Sequence, residues 1–465
     1  MLPKKRADIE SAPTTLALTF ASPIGEKSPL QNTLLCVIIT LKIAFQTRSI
    51  YRSRRIFMKS VRNIYKTGVG PSSSHTMGPV FAAKEFLRRN PSLERVEVTL
   101  YGSLAKTGRG HGTDRAIADA LSPIETEIIF NTDDTLVLEH PNQMDFVGIC
   151  SGEAVAYMRV LSIGGGEIRI VGDAMIDEDG DGIPDDEIYA ERGFSEIAQL
   201  CKAQNIRLSD YVFAHEDESF KSFLLSVWQV MCDSIREGLT RVGTLPGGLD
   251  VQRKAQQLYN QRHIDESPQT RENRIVCSYA FAVSEQNADC GIIVTAPTCG
   301  ACGVLPAVLK YMQEKNNFSD DDVLRALAVA GLVGNIVATN ASVSGAECGC
   351  QAEIGTACSM AAAALAELFE MGIDQIEYAA EISLEHHLGL TCDPVCGLVQ
   401  IPCIERNAVA AMRAINALSL ANFLSDSRKI SFDMVVETMY RTGADLSQKY
   451  RETSEGGLAR LYNNH

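Results

Sequence analysis

The chain has 465 residues, 45% of them hydrophobic, enough to bury two or three domain cores, which excludes gross disorder. A formal net charge of −15 excludes nucleic acid as the main partner, because phosphate binding asks for clustered Lys and Arg. The 14 cysteines do not sit behind a readable secretory signal, so a cytoplasmic location is expected, where thiols serve as core residues, metal ligands or catalytic groups.

Residues 1–57 differ from the remainder. They carry nine Lys or Arg against three Asp or Glu, while the rest of the chain is strongly acidic. Their one apolar run, residues 34–45, is interrupted by Lys42 and too short to span a bilayer, so no membrane association is expected. Met58-Lys59-Ser60 reads as a second start, which makes 1–57 a disordered leader or a mis-assigned extension, with a transit peptide as the alternative.

From Val96, VEVTLYGSL alternates apolar and polar residues as a half-buried strand does. IETEIIF from Ile124 and EIRIVG from Glu167 read likewise, and TMGPVFAAKEFLRRN ahead of them reads as a helix. Residues 58–218 are therefore expected to form a β-rich α+β domain. Beyond about residue 220 capped helical runs take over. Ser319 with Asp322 fits a capping box before VLRALAVAGLVGNIVA. An Ala-rich helix over 357–371 stops at Gly372. Asp374 with Glu377 opens the next helix, closing at Gly389, and ERNAVAAMRAINALSLANFL is another. Residues 219–465 are expected to be an all-helical domain, giving an α+β chain overall.

Three segments fit neither periodicity. In Gly70-Pro71-Ser72-Ser73-Ser74-His75, three serines before a helix can hold an anion, and His75 can act as acid or base; the alternative is a Ser N-cap beside a surface His. In Gly108-Arg109-Gly110-His111-Gly112, glycines let the backbone bring His111 close to a ligand; the alternative is an exposed turn. Thr295 to Gly303 leads into a helix whose start suits a carboxylate, and Cys299 and Cys302 there read as packing cysteines. Metal ligation turns on Cys348, Cys350, Cys392, Cys396 and Cys403, most of them at element ends. Periodicity does not choose three ligands from these five, and reduced buried thiols are the simplest reading. Cys358, inside an apolar helix, reads as core. Residues 177–187 resemble a D-x-D-x-D-G calcium loop, but Ile188 replaces the usual Glu, so a solvated acidic hairpin is the simpler reading and Ca2+ the alternative.

GPSSSHTMGP, GSLAKTGRGHGTDRAI, NASVSGAECGCQAEIGTACSMAAA, EHHLGLTCDPVCGLVQIPCIERNA and ETMYRTGADLSQKYRETSEGGLA together resemble the single-chain, iron–sulfur-dependent L-serine dehydratases, from about Met58 to Ala459. The resemblance implies a β-rich domain packed on a helical catalytic domain, conversion of L-serine to pyruvate and ammonium, and a homodimer. It places a [4Fe–4S] cluster on Cys350, Cys392 and Cys403, with an open iron acting as a Lewis acid on the serine hydroxyl. It implies His111 as the base and His75 as its helper. Ser72, Ser73, Ser74, Thr295, Thr298, Asn340, Ser342 and Ser344 are the expected holders of the amino and carboxylate groups. Some members carry a cysteine near the C-terminus that reaches the fourth iron. Leu458–His465 contains none, so solvent is expected there, with His465 as the alternative. Two other readings stay open: a pyridoxal-phosphate lyase, with Ser162-Ile163-Gly164-Gly165-Gly166 as phosphate cradle, and an iron–sulfur redox sensor.

Overall fold

The computed structural model describes residues 58–462, apart from 134, 173–187, 262–263 and 425–426. The leader 1–57, the acidic segment 177–187 considered for calcium, and His465 therefore lie outside the described residues.

Seven strands are described: β1 (Thr67–Val69), β2 (Arg95–Tyr101), β3 (Glu125–Asn131), β4 (Gln143–Cys150), β5 (Glu153–Gly164), β6 (Glu167–Ile170) and β7 (Ile292–Val294). Five form one sheet in the order β3-β2-β4-β5-β6. Among the described strands its one parallel pair is β2 with β3, and a parallel pair needs a crossover between its strands. Two short helices, Gly102–Thr107 and Thr113–Leu121, form that crossover, and the glycine-rich loop bearing His111 joins them. On β2 the expected alternation is plain: Val96, Val98 and Leu100 are fully buried while their neighbours are half-exposed. They pack with Phe86, Ile117, Leu121 and Phe146 into a core of their own.

A second, larger core belongs to the helices. Among the described residues the longest are Phe220–Thr240 and Pro268–Ala288, which pack on each other, and Asp320–Asn340 and Cys403–Leu424, which pack on the Ala-rich Thr356–Leu368. This arrangement is the α+β class expected from the sequence. Asp320–Asn340 is long and apolar enough to cross a membrane, but 78% of its most apolar stretch is buried within the fold, as a core helix is. Ala361 to Ala364 have no exposed surface, so small side chains let neighbouring helices approach closely.

Chain order does not follow the two cores. Met58, Val61, Ile64 and Tyr65 are buried in the helical core, and β1 pairs antiparallel with β7, joining Thr67 to Val294. Phe194–Gln204 and Leu208–His215 also pack there. The Ser73–Met77 turn thus leaves the helical body to enter the helix Gly78–Arg89, whose Ala82, Ala83 and Phe86 belong to the sheet core. Residues at that passage face both cores.

Candidate active site

Ser73–Met77 is one widened helical turn, and Ser72 caps it, its hydroxyl accepting from His75 N at 3.1 Å. The turn carries His75 inward until it has no exposed surface. Ser74 Oγ lies 2.9 Å from its Nδ1 and Ser103 Oγ 3.0 Å from its Nε2. The Ser103 hydroxyl donates to Glu452 O at 2.6 Å, so toward His75 it accepts. His75 therefore carries its proton on Nε2, and Nδ1 accepts from Ser74.

His111 is equally buried, its ring centroid 4.5 Å from that of His75. Its Nδ1 meets the carbonyl of Thr107 at 3.0 Å, and a carbonyl only accepts, so the proton sits on Nδ1. The Nε2 lone pair is left buried without a hydrogen-bond partner. Burial pushes the His111 imidazolium down to about 4 and pushes His75 down as well, with His111 adding to the effect on His75. Both rings are neutral at physiological pH. The surface-histidine alternatives for these two motifs are thereby overturned: the loop folds inward because a side chain at Gly110 would meet the backbone of Cys396 and Gly397 at 2.6–2.7 Å.

Three cysteines occupy the neighbouring ground. Cys350 follows Gly349, whose φ of +74° turns the chain, and the carboxamide of Gln351 fixes that turn to Cys348 O and Gly389 N. Cys392 lies in the turn after His387, and Cys403 opens the helix Cys403–Leu424. Asn407 anchors that helix start to the 299–303 turn through Gly300 O and Gly303 N. Cys350 is drawn toward its thiolate by a hydrogen bond from the Cys392 thiol and by the Arg406 guanidinium, against the opposing effect of burial. Cys392 is pushed up by its bond to Cys350 and by burial, and Cys403 by burial and then by Cys350. Burial disfavours charge on Arg406, but Cys350, Cys403 and Cys392 hold it cationic, and it also donates to Thr391 O at 2.7 Å. The other two candidates face elsewhere. Cys348 packs on Gly443, and Cys396 is exposed. Cys358 donates to Ala410 O inside the helical core. Among the described residues, no three His, Cys, Asp or Glu side chains converge closely enough to hold a single metal ion.

Two acids absent from the sequence-based expectations complete the centre. Glu353 accepts from Thr298 Oγ1 at 2.9 Å and faces the Cys392 thiol at 3.7 Å; burial raises its carboxyl, and Cys350 adds to this. Glu452 arrives from the C-terminal segment. Cys392 N donates to Tyr450 O, Glu452 N to Cys392 O and Ser454 Oγ to Pro394 O, at 2.6–2.9 Å. This strap crosses the Cys392-Asp393-Pro394 turn and places Glu452 Oε1 3.4 Å from His75 Nδ1 and 3.9 Å from His111 Nε2. Burial pushes the Glu452 carboxyl well up, with Glu353 next in effect.

The remaining expected residues divide. Ser344 is buried with its hydroxyl unpartnered, and Gly164 packs against its Cβ. Ser342 hydrogen-bonds Glu347, whose other oxygen meets His140 at 3.1 Å. Thr295 is spent on Ile64 O and Lys66 N, stitching β7 to the N-terminal segment. Asn340 is exposed, and its amide donates to Arg192 O and Ile336 O. The Gly164–Gly166 turn considered as a phosphate cradle packs instead on Ser344 and Pro297.

Residues 146–459 match the family model of the serine dehydratase alpha chain, and residues 60–129 that of the beta chain. The L-serine dehydratase of Streptomyces coelicolor is 41% identical, the match covering 86% of this chain and 98% of that protein. L-serine dehydratase 2 of Escherichia coli is 38% identical over the same shares, and the Helicobacter pylori L-serine dehydratase 36%. The buried histidine pair comes from the beta-chain match, and the thiols and Glu452 from the alpha-chain match, so one polypeptide assembles the centre from both. The chain belongs to the serine dehydratase family.

Proposed function

We propose that this protein is an L-serine ammonia-lyase, converting L-serine to pyruvate and ammonium with a [4Fe–4S] cluster held by Cys350, Cys392 and Cys403. The observation that carries the reading is a neutral, unpartnered imidazole nitrogen on His111 beside a thiol group that has its own buried cation. The fit to a cluster rests on the donors. Thiolates suit iron–sulfur centres, and Arg406 offsets part of the negative charge that three thiolates would bring into a buried place. When bound, the cluster would supply a Lewis acid for the departing hydroxyl.

The chain's own residues supply the rest. His111 Nε2 takes the α-proton; its tautomer is fixed by Thr107 O, and burial keeps it neutral and able to accept. His75, wedged between Ser74 and Ser103, keeps its ring against that of His111 and holds it in place. Ser72, Ser73 and Ser344 offer hydroxyls for the substrate carboxylate, Ser344 being free to donate, while Ser74 and Thr298 already donate to His75 Nδ1 and Glu353 and shape the site through them. Thr295, Ser342 and Asn340 act through the scaffold, since their polar atoms are engaged there. Loss of water from serine leaves an aminoacrylate, which tautomerises to an imine. The imine takes up water to give pyruvate and ammonium, so atoms balance.

Part of this reading is a division into a leader (1–57), a β domain (58–218) and a cluster-binding helical domain (219–465), with the protein acting as a cytoplasmic homodimer. Removing residues 1–57 should leave serine turnover within about twofold. The test of function is anaerobic assay of the purified chain with L-serine, following pyruvate and ammonium together. Equimolar appearance of both is expected, and absence of either product overturns the reading.

A further inference from the structure

We infer that Glu452 is the residue that receives the α-ammonium group of the substrate, an inference that rests on the serine-deaminating reading above. It starts from two orphaned atoms. His111 Nε2 and Glu452 Oε2 are both buried and both lack a hydrogen-bond partner. A buried polar atom without a partner destabilises a fold, so two on adjoining residues of one centre point to a polar ligand that completes them.

The chemistry of an amino acid decides which partner each takes. Serine brings one cation, its ammonium, and one anion, its carboxylate. Of the two acids in this centre, Glu353 is turned toward Thr298 Oγ1 and Cys392 Sγ, whereas Glu452 faces the two histidines. Glu452 Oε2 is the acid oxygen left over. The hydroxyls of Ser344, Ser72 and Ser73 and the cation Arg406 serve the carboxylate better than the ammonium, because they can donate or carry positive charge.

Position agrees with charge. The ammonium and the departing proton sit on the same carbon of serine, so their receptors must stand side by side. Glu452 Oε1 is 3.9 Å from His111 Nε2, the atom assigned to the proton, and 3.4 Å from His75 Nδ1. The backbone shows what keeps the carboxyl there. Glu452 has φ +57° and Ser454 φ +58°, a left-handed conformation that non-glycine residues adopt only at a cost. The strap holds it with bonds from Glu452 N to Cys392 O, from Ser103 Oγ to Glu452 O and from Leu458 N to Asp393 Oδ2. A merely structural acid needs neither that conformation nor a free oxygen.

The test uses a matched pair of ligands on the cluster-loaded, anaerobic holoenzyme. L-Alanine and propionate share a carboxylate and a carbon chain and differ only in the ammonium. Calorimetry should show the wild-type protein preferring L-alanine by about 10- to 100-fold, the range of a charge-assisted hydrogen bond. In Glu452→Gln the preference should shrink to within about threefold while propionate binding is unchanged. An undiminished preference in Glu452→Gln, or no preference in the wild type, overturns the inference. Should Glu452→Gln fail to fold, Glu452→Asp keeps the charge but withdraws it by one methylene. It should then weaken L-alanine alone, and equal weakening of both ligands again overturns the inference. Failure of the underlying reading looks different: the wild-type protein would form no pyruvate from L-serine, whatever its binding preference.

Discussion

On the histidine side of the centre, His75 and His111 are driven toward their neutral forms, whereas on the thiol side Cys350 is driven toward its thiolate. Burial acts on both sides alike and disfavours every charge. What differs is the company. The Cys392 thiol and Arg406 favour charge on Cys350, whereas the hydrogen bonds of His75 with Ser103 and of His111 with Thr107 favour charge by less than burial opposes it. The contrast matches the chemistry that the proposed reaction asks of each side: a base must be uncharged to take a proton, and an iron ligand must have lost one.

The sharpest way to break the comparison is to remove a thiol. Cys350→Ala, Cys392→Ala or Cys403→Ala should each abolish cluster absorption and serine turnover, while Cys348→Ala and Cys396→Ala keep most of the iron. Full iron in Cys403→Ala would show that the ligands are differently chosen. On the other side, His111→Asn should keep iron content and lower kcat by about 10²- to 10⁴-fold, the span of a lost general base. A drop in iron instead would make His111 part of the scaffold.

Removing the cation tests the contrast itself. Arg406→Met should preserve the fold but loosen the cluster, with iron affinity down about 10- to 100-fold, as for other residues that orient ligands without binding metal. Unchanged iron retention would mean that Cys350 owes nothing to Arg406. The smallest effect concerns burial acting against only a weak cation. Glu381 in the helical core is pushed up to about 7 by burial and by Glu385, with Arg428 opposing. A carboxyl raised above its unfolded value contributes stability below about 4.5 that is lost as pH rises through 7. Glu381→Gln should therefore gain Tm relative to wild type on moving from pH 5 to pH 8. An equal difference at both pH values would contradict the assignment.

The comparison also explains what could be read in the chain beforehand. β2, β3 and β6, the capping box at Ser319 and Asp322 and the helix from Cys403 follow from local pattern, and each forms close to its expected limits. Asp374 sits in the first turn of Ile373–Glu385 rather than capping it, since Gln375 Oε1 takes the N–H of Gly372. β4 and β5 were illegible. Gln143, Met144, Asp145 and Phe146 are buried in succession, because a central strand covered on both faces loses its alternation. Glu353, Arg406 and Glu452 gave no signal of their own. An acid or arginine announces burial only through partners distant in sequence, and Glu452 meets His75 across more than three hundred residues. The available hint was its place in the RETSEGG string, where Gly457 leaves room beside Asp393 that a side chain would fill.

The central claim is that one chain holds an iron–sulfur cluster on three cysteines and uses it to deaminate serine. The most direct measurement is iron, acid-labile sulfide and pyruvate formation on the same anaerobic preparation of the wild-type chain. About four irons and four sulfides per chain, a broad brown absorption and turnover that falls in step with iron removal are expected. Full turnover of L-serine by iron-free protein, or a sharp yellow aldimine band in its place, would contradict it.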